Sequence, residues 1–141
     1  MSAFMPYVDD WAFCDSLCQN FKVARKYPEE VWDFIMQYRN SSQEFFARIV
    51  AVVLLSHYLN DEYVDRVINV LDTLHAEKYY AQMGIAWALA TVCGKYPQKC
   101  LNYLQNHNQL NQITFNMTKR KICESFRVAD EIKRQVKDLH K

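Results

Sequence analysis

The chain has 141 residues, half of them hydrophobic, and a formal net charge of +1 at pH 7. This length is typical of one domain, and the hydrophobic content is sufficient for a buried core, which excludes a disordered tail. Two glycines and three prolines are too few for a sheet of many short strands, so we expect an all-α chain forming a single domain over residues 1–141.

Hydrophobic spacing, prolines at first helical positions and polar breaks predict eight helices with no linker between two domains. Their predicted ranges are 10–24, 28–39, 43–58, 61–74, 77–93, 97–106, 110–125 and 129–139. The run from Ile49 to Leu55 is rich in β-branched residues. Because the segment around it continues without Gly or Pro for longer than a strand, we expect a buried helix there.

The first predicted helix places Trp11 and Asp15 side by side at the edge of its apolar face. An acid at that boundary is partly desolvated, so its charge acts more strongly than it would in water. An ordinary amphipathic helix with one acid at its edge is the simpler explanation of this segment taken alone.

Cysteine usage gives no sign of a disulfide framework. There are five cysteines, an odd number, and neither a CxxC pair nor a ligand-spaced histidine accompanies them. Cys14 and Cys18 lie one helical turn apart and would suit a metal, but free cysteine usually behaves as a small hydrophobe, so we expect both in the core. Gly84 and Gly94 are isolated, so no phosphate-cradling loop indicates an organic cofactor.

Two pairs of segments reveal an internal repeat. The segment KYPEEVWDFI at 26–35 matches KYPQKCLNYL at 95–104, and FFARIVAVVLL at 45–55 matches YYAQMGIAWAL at 79–89. The separations are 69 and 34 residues. A period near 34 with one helical hairpin per unit is typical of an α-solenoid, in which stacking buries the apolar face of each hairpin. We therefore expect about four units, with helices 43–58 and 77–93 lining the concave side.

Arg48 is the only Lys, Arg, Asp or Glu between Phe45 and Leu59. A guanidinium on so apolar a helix is costly to bury unpaired, so it must meet a carboxylate, a surface or an anion. An internal salt bridge, with Asp15 as one candidate partner, is the simplest of these arrangements.

The C-terminal end of the chain is basic. Residues 117–141 hold eight Lys or Arg against four Asp or Glu. Such runs are more often solvated helix faces than phosphate contacts. Within this run, Lys119, Arg120 and Lys121 would suit a phosphate backbone, which they would bind in a salt-dependent and sequence-independent way.

The sequence shows no pattern typical of a signal peptide or a membrane-spanning segment. The first residues, MSAFMPYVDD, have neither the basic start nor the apolar run of a signal peptide. No stretch approaches the roughly 18 apolar residues of a membrane span. We therefore expect a soluble, cytoplasmic protein without a membrane partner.

The assembled segments resemble the DNA alkylation repair glycosylases built from HEAT-like repeats. The matching segments run in order from about residue 6 to 126: W-x-x-x-D (Trp11, Asp15), the helix around Arg48, the YYAQMGIAWAL helix with Trp87, and KRKICES at 119–125. No single motif is specific for this family, but the order and spacing of the whole set are. Without the resemblance, an indole among the apolar neighbours of Trp87 would be interpreted as core.

The resemblance implies excision of cationic alkylated purines from double-stranded DNA by cleavage of the N-glycosidic bond, without drawing the base into a deep pocket. Asp15 would stabilise the positive charge that develops on the deoxyribose. Trp11 and Trp87 would contact the lesion and its sugar through their ring faces. Arg48 would hold a backbone phosphate near the lesion.

The sequence departs from the family pattern at two places. Relatives carry several helices before the W-x-x-x-D segment, so the chain resembles a shortened member or a fragment, whose uncapped first repeat would favour self-association. Arg48 follows Ala47, whereas many active relatives have two adjacent arginines, so one phosphate contact would be lost. The alternative function is therefore a non-catalytic HEAT-repeat module that binds damaged or branched DNA, or a protein partner.

Overall fold

The structure is a computed structural model that describes residues 23–38, 44–74, 78–106 and 108–140. Within these ranges the chain forms eight helices and no strand, which confirms the predicted all-α fold class. In chain order the helices are α1 Val23–Lys26, α2 Pro28–Met36, α3 Glu44–His57, α4 Val64–Thr73, α5 Tyr79–Lys95, α6 Pro97–Asn106, α7 Gln112–Glu124 and α8 Asp130–Lys137.

Local chemistry explains where several helices begin. Pro28 and Pro97 are the first residues of α2 and α6, where a missing N–H is not needed for the helix. The Asn111 side chain accepts a hydrogen bond from the backbone N–H of Thr114 at 2.8 Å and caps α7. Most of the predicted helix 10–24 lies outside the described residues. No helix of the described ranges has both the length and the hydropathy needed to cross a membrane.

The helices are arranged in two layers that repeat along the chain. In the first layer, α5 lies between α3 and α7 and packs on both more extensively than on any other helix of the described ranges. The second layer contains α2, α4, α6 and α8. Successive helices within each layer begin 33 to 36 residues apart. The predicted repeat near 34 residues is therefore present, and the fold is solenoid-like.

Equivalent ion pairs join successive helices of the second layer. Arg66 of α4 lies 2.9 Å from Glu29 of α2, and Lys99 of α6 lies 3.0 Å from Asp65 of α4. In both pairs the acid is the second residue of its helix and the base is the third. Exposed pairs of this kind contribute little to stability, because water and salt screen their charges. Their main significance is that they show the same contact recurring in consecutive repeats.

An aromatic cluster fills the junction between the first repeats. The rings of Tyr58 and Tyr63 lie 5.2 and 5.6 Å from that of Trp32, which is within the range for favourable aromatic pairs. The Tyr63 hydroxyl donates a hydrogen bond to a Glu29 carboxylate oxygen at 2.5 Å. That bond, together with the ion pair to Arg66, holds the pKa of Glu29 below its ordinary value of 4.5.

The Glu29 contacts predict a pH-dependent contribution to stability. A lowered pKa in the folded state stabilises the fold at pH values above the unfolded pKa, and the contribution is lost as the pH falls through the folded pKa. We therefore expect Glu29→Gln to lower the free energy of unfolding most at neutral pH, with the difference from wild type shrinking in acid. Urea unfolding curves recorded at several pH values test this.

The matched control for this experiment is Glu30→Gln. Glu30 is exposed in the same helical turn, and its carboxylate forms no hydrogen bond or ion pair within the described ranges. Its replacement should leave the pH profile of the free energy of unfolding close to that of wild type. A Glu29→Gln effect that stays constant from neutral to acidic pH would contradict the interpretation.

Candidate functional site

The central part of helix α5, from Ala81 to Gly94, is buried on every side but one. In this part of the helix the partly exposed residues are Met83, Trp87, Thr91 and Gly94, and the others are buried. Their spacing of three or four residues places them on one face of the helix. We call these four residues the α5 stripe. Because α3 and α7 cover the flanks of α5, the stripe is the part of residues 81–94 that a ligand can reach.

Arg48 of α3 lies beside the α5 stripe, with only 9% of its surface exposed. Its Nη1 donates a hydrogen bond to the backbone carbonyl of Tyr80 at 2.8 Å. Its guanidinium carbon lies 6.0 Å from the centre of the Trp87 ring, at the outer limit for a cation–π attraction. The hydrogen bond to this carbonyl helps to orient the guanidinium. The structure therefore brings two of the predicted site residues, Arg48 and Trp87, together.

Gly84 makes this arrangement possible. A Cβ atom at Gly84 would lie 3.2 Å from Cγ of Arg48 and 3.7 Å from Cβ of Ala51. The first distance is shorter than the roughly 3.5 to 4.0 Å of an optimal carbon–carbon contact. The missing side chain therefore allows α3 to pack closely against α5 and lets the stem of Arg48 lie flat between the two helices.

A cavity of about 520 Å³ opens beside the α5 stripe, and we call it the Trp87 cavity. Its volume is within the range of small-ligand pockets. The residues that line it are Leu55, Trp87, Ala90, Thr91, Gly94, Lys121, Glu124, Ser125, Phe126 and Arg127. The Trp87 indole is thus accessible from this cavity and not sealed inside the core.

The three consecutive cations of α7 do not all face the same surface. Arg120 and Lys121 line a small cavity of about 200 Å³ together with Tyr79 and Met83 at the start of α5. Lys119 instead donates hydrogen bonds to the carbonyls of Lys137 and Leu139 at the end of α8, where a cation complements the helix dipole. The structure therefore brings Arg120 and Lys121 to the α5 stripe and keeps Lys119 away from it.

The remaining predicted residues belong to the N-terminal segment. Trp11 and Asp15, and the cysteines Cys14 and Cys18, lie outside the described residues. No group of three or more His, Cys, Asp or Glu side chains suited to a metal ion occurs in the described ranges. The assignments of Trp11 and Asp15 to the site stay predictions.

The turn between α7 and α8 was not predicted to belong to the site. Phe126 has 103% of the reference exposure, and Arg127 beside it is exposed as well. Both line the Trp87 cavity. The sequence signal for this turn is an aromatic residue next to a cation at a predicted break between two helices.

Comparison with known protein families identifies a match over most of the chain. A family model described as DNA alkylation repair enzyme matches residues 1–120. This range contains Trp11, Asp15, Arg48 and Trp87, and it ends within α7. No curated protein and no solved structure matches the chain.

Proposed function

The chain belongs to the family of DNA alkylation repair enzymes, and we propose on this premise that it is a DNA glycosylase that removes cationic alkylated purines from double-stranded DNA. The observation that carries the proposal is the position of Trp87. Its indole is accessible from a cavity that Lys121 and Arg127 also line, and a guanidinium lies 6.0 Å from its ring.

The chemistry of the lesion explains which groups the site needs. Alkylation of a purine ring nitrogen makes the base cationic and weakens its bond to C1′ of the deoxyribose. When that bond breaks, its electron pair moves to the base, which leaves as a neutral molecule, and positive charge develops on the sugar. Water then adds to C1′ and loses a proton. A carboxylate close to C1′ stabilises the developing charge, and Asp15 is the residue that we assign to this role.

Trp87 would bind the cationic base through the face of its indole. Cation–π attraction to a tryptophan contributes about 0.5 to 2 kcal/mol, depending on desolvation. The partial exposure of Trp87 on the α5 stripe supports this role, because a sealed indole would have no access to DNA. Trp11 would contact the lesion and its sugar in the same way.

Arg48 would bind a phosphate of the lesion strand. A second cation close to a positively charged base is unfavourable unless an anion lies between them, and a backbone phosphate supplies that anion. A guanidinium has five N–H donors, so it can hold a carbonyl and a phosphate at the same time. The hydrogen bond to the Tyr80 carbonyl would fix the orientation of the group before DNA arrives.

Release of methylated purines from alkylated duplex DNA tests the proposal. The purified chain should release them faster than they are lost spontaneously, and chromatography of the free bases measures the rate. Binding of the alkylated duplex without release would contradict the glycosylase proposal and favour a non-catalytic DNA-binding module. Failure to bind any DNA would favour a scaffold for a protein partner.

Gly84→Ala should separate stability from activity. The new methyl group would displace the Arg48 stem by a few tenths of an ångström, while alanine favours the helix by about 1 kcal/mol over glycine. We therefore expect the free energy of unfolding to change by no more than about 1 kcal/mol. Base release should fall several-fold, because small displacements of positioning groups are costly to catalysis. Urea unfolding and the release assay measure the two quantities.

The control for this prediction is the same substitution in an Arg48→Ala background. Once the guanidinium has been removed, Gly84→Ala has no group left to displace and should cause no further loss of base release. An additional loss of the same size in that background would show that Gly84 acts by another route.

A further inference from the structure

A second cavity adjoins the Trp87 cavity, and we call it the basic cavity. It measures about 720 Å³. Its lining residues are Arg25, Leu55, Ser56, His57, Leu59, Thr91, Gly94, Lys95 and Arg127. Leu55, Thr91, Gly94 and Arg127 line both cavities. The two spaces are therefore neighbours along the C-terminal half of the α5 stripe.

The basic cavity has a positive lining. Arg25, Lys95 and Arg127 line it, and none of its described lining residues is an Asp or a Glu. Lys95 donates a hydrogen bond to the carbonyl of Leu59. The guanidinium groups of Arg25 and Arg127 have no hydrogen-bond or ion-pair partner in the part of the chain that the structure describes. Cations grouped in one concave space create a positive potential that attracts an anion.

Arg127 is positioned at the common wall by a close backbone approach. A Cβ atom at Gly94 would lie 3.1 Å from Cβ of Arg127, so the missing side chain lets the turn after α7 pack against the end of α5. The backbone N–H of Arg127 also donates a hydrogen bond to Oγ of Ser125 at 3.2 Å. The turn thus holds Arg127 where its side chain borders both cavities.

We propose that Arg25 and Arg127, assisted by Lys95, form a second phosphate-binding site that holds the DNA backbone beside the lesion. The proposal rests on the proposed function, since it requires DNA to lie along the α5 stripe with the damaged base at Trp87. Each strand of a duplex carries one phosphate per about 3.4 Å of helix axis. Phosphates that flank the lesion therefore reach the cavity adjacent to the one that holds it.

The salt dependence of DNA binding tests this site. Fluorescence anisotropy of an unmodified labelled duplex between about 50 and 200 mM salt gives the slope of log Kd against log salt. In the variant Arg25→Gln/Arg127→Gln, the magnitude of this slope should fall by about 0.9 for each phosphate contact removed. At about 200 mM salt the variant should bind DNA roughly tenfold more weakly than wild type. Both arginines are exposed, so the fold should tolerate the substitutions.

The matched control is Arg66→Gln/Lys99→Gln. It removes the same net charge, but from the exposed ion pairs of the second layer, and should leave the slope at the wild-type value. The proposal is overturned if the Arg25→Gln/Arg127→Gln variant keeps the wild-type slope, or if both variants lose the same slope.

Two further measurements identify the source of the phosphate and separate this proposal from the glycosylase proposal. Inorganic phosphate at millimolar concentration, added at constant ionic strength, should not displace the duplex. If phosphate does displace it, and the Arg25→Gln/Arg127→Gln variant keeps the wild-type slope, the site binds a free anion and the proposal is overturned. Base release is assayed in parallel. A wild-type chain that releases no methylated purine but shows the arginine-dependent slope would refute the glycosylase and support the phosphate site.

Discussion

Asp15→Asn should reduce the release of methylated purine from alkylated duplex DNA by about a hundredfold or more, which is the usual effect of removing a group that stabilises transition-state charge. The amide has the shape of the carboxylate but no negative charge, so the deoxyribose cation would lose its counter-charge. The affinity of the variant for undamaged duplex should stay close to that of wild type, because contacts with the DNA phosphates provide most of this affinity. Single-turnover release and anisotropy measure the two effects.

Asp9→Asn provides the matched control for this prediction. It makes the same chemical change in the same segment, two residues before Trp11, and should leave base release near the wild-type rate. If Asp15→Asn retains wild-type activity, or if Asp9→Asn loses as much, the assignment of Asp15 to the reacting sugar is wrong.

Ile85→Ala should lower the free energy of unfolding by about 2 to 5 kcal/mol, the usual effect of removing several buried methyl groups. Ile85 is 1% exposed in α5, the helix that packs on both α3 and α7. Folded domains have only about 5 to 15 kcal/mol of stability. The variant should therefore unfold at much lower urea concentration than wild type.

Ile113→Ala is the same substitution at a position that is 58% exposed in α7. Substitutions on the surface usually change stability by no more than about 0.5 kcal/mol, so this variant should unfold close to wild type. Equal destabilisation by the two substitutions would show that α5 is not the buried centre of the first layer.

The helices were largely predictable from the sequence because their signals are local. From residue 28 onward, each predicted helix boundary lies within three residues of the observed one.

The start of α4 shows what a local pattern misses. The Asn60 side chain accepts a hydrogen bond from the backbone N–H of Tyr63 at 3.0 Å, which holds residues 61–63 in a turn and delays the helix to Val64.

The candidate site was less predictable, because it depends on which face each residue presents. Successive residues of a helix point about 100° apart, so Lys119, Arg120 and Lys121 cannot all lie on one surface, although they form one run in the sequence. The hydrogen bond from Arg48 to the Tyr80 carbonyl was equally unpredictable, since the two residues lie 32 positions apart along the chain. Arg127 joins the site only because Gly94 lets a turn pack against α5.

Photochemical cross-linking from defined positions tests most directly whether DNA lies along the α5 stripe. A photoreactive phenylalanine analogue replaces either Met83, which belongs to the stripe, or Asn102, which is exposed on α6 and lines a cavity of the second layer. Alkylated duplex DNA should cross-link efficiently from position 83 and only at background level from position 102. Cross-links from position 102 with none from position 83 would place DNA on the opposite layer and contradict the account.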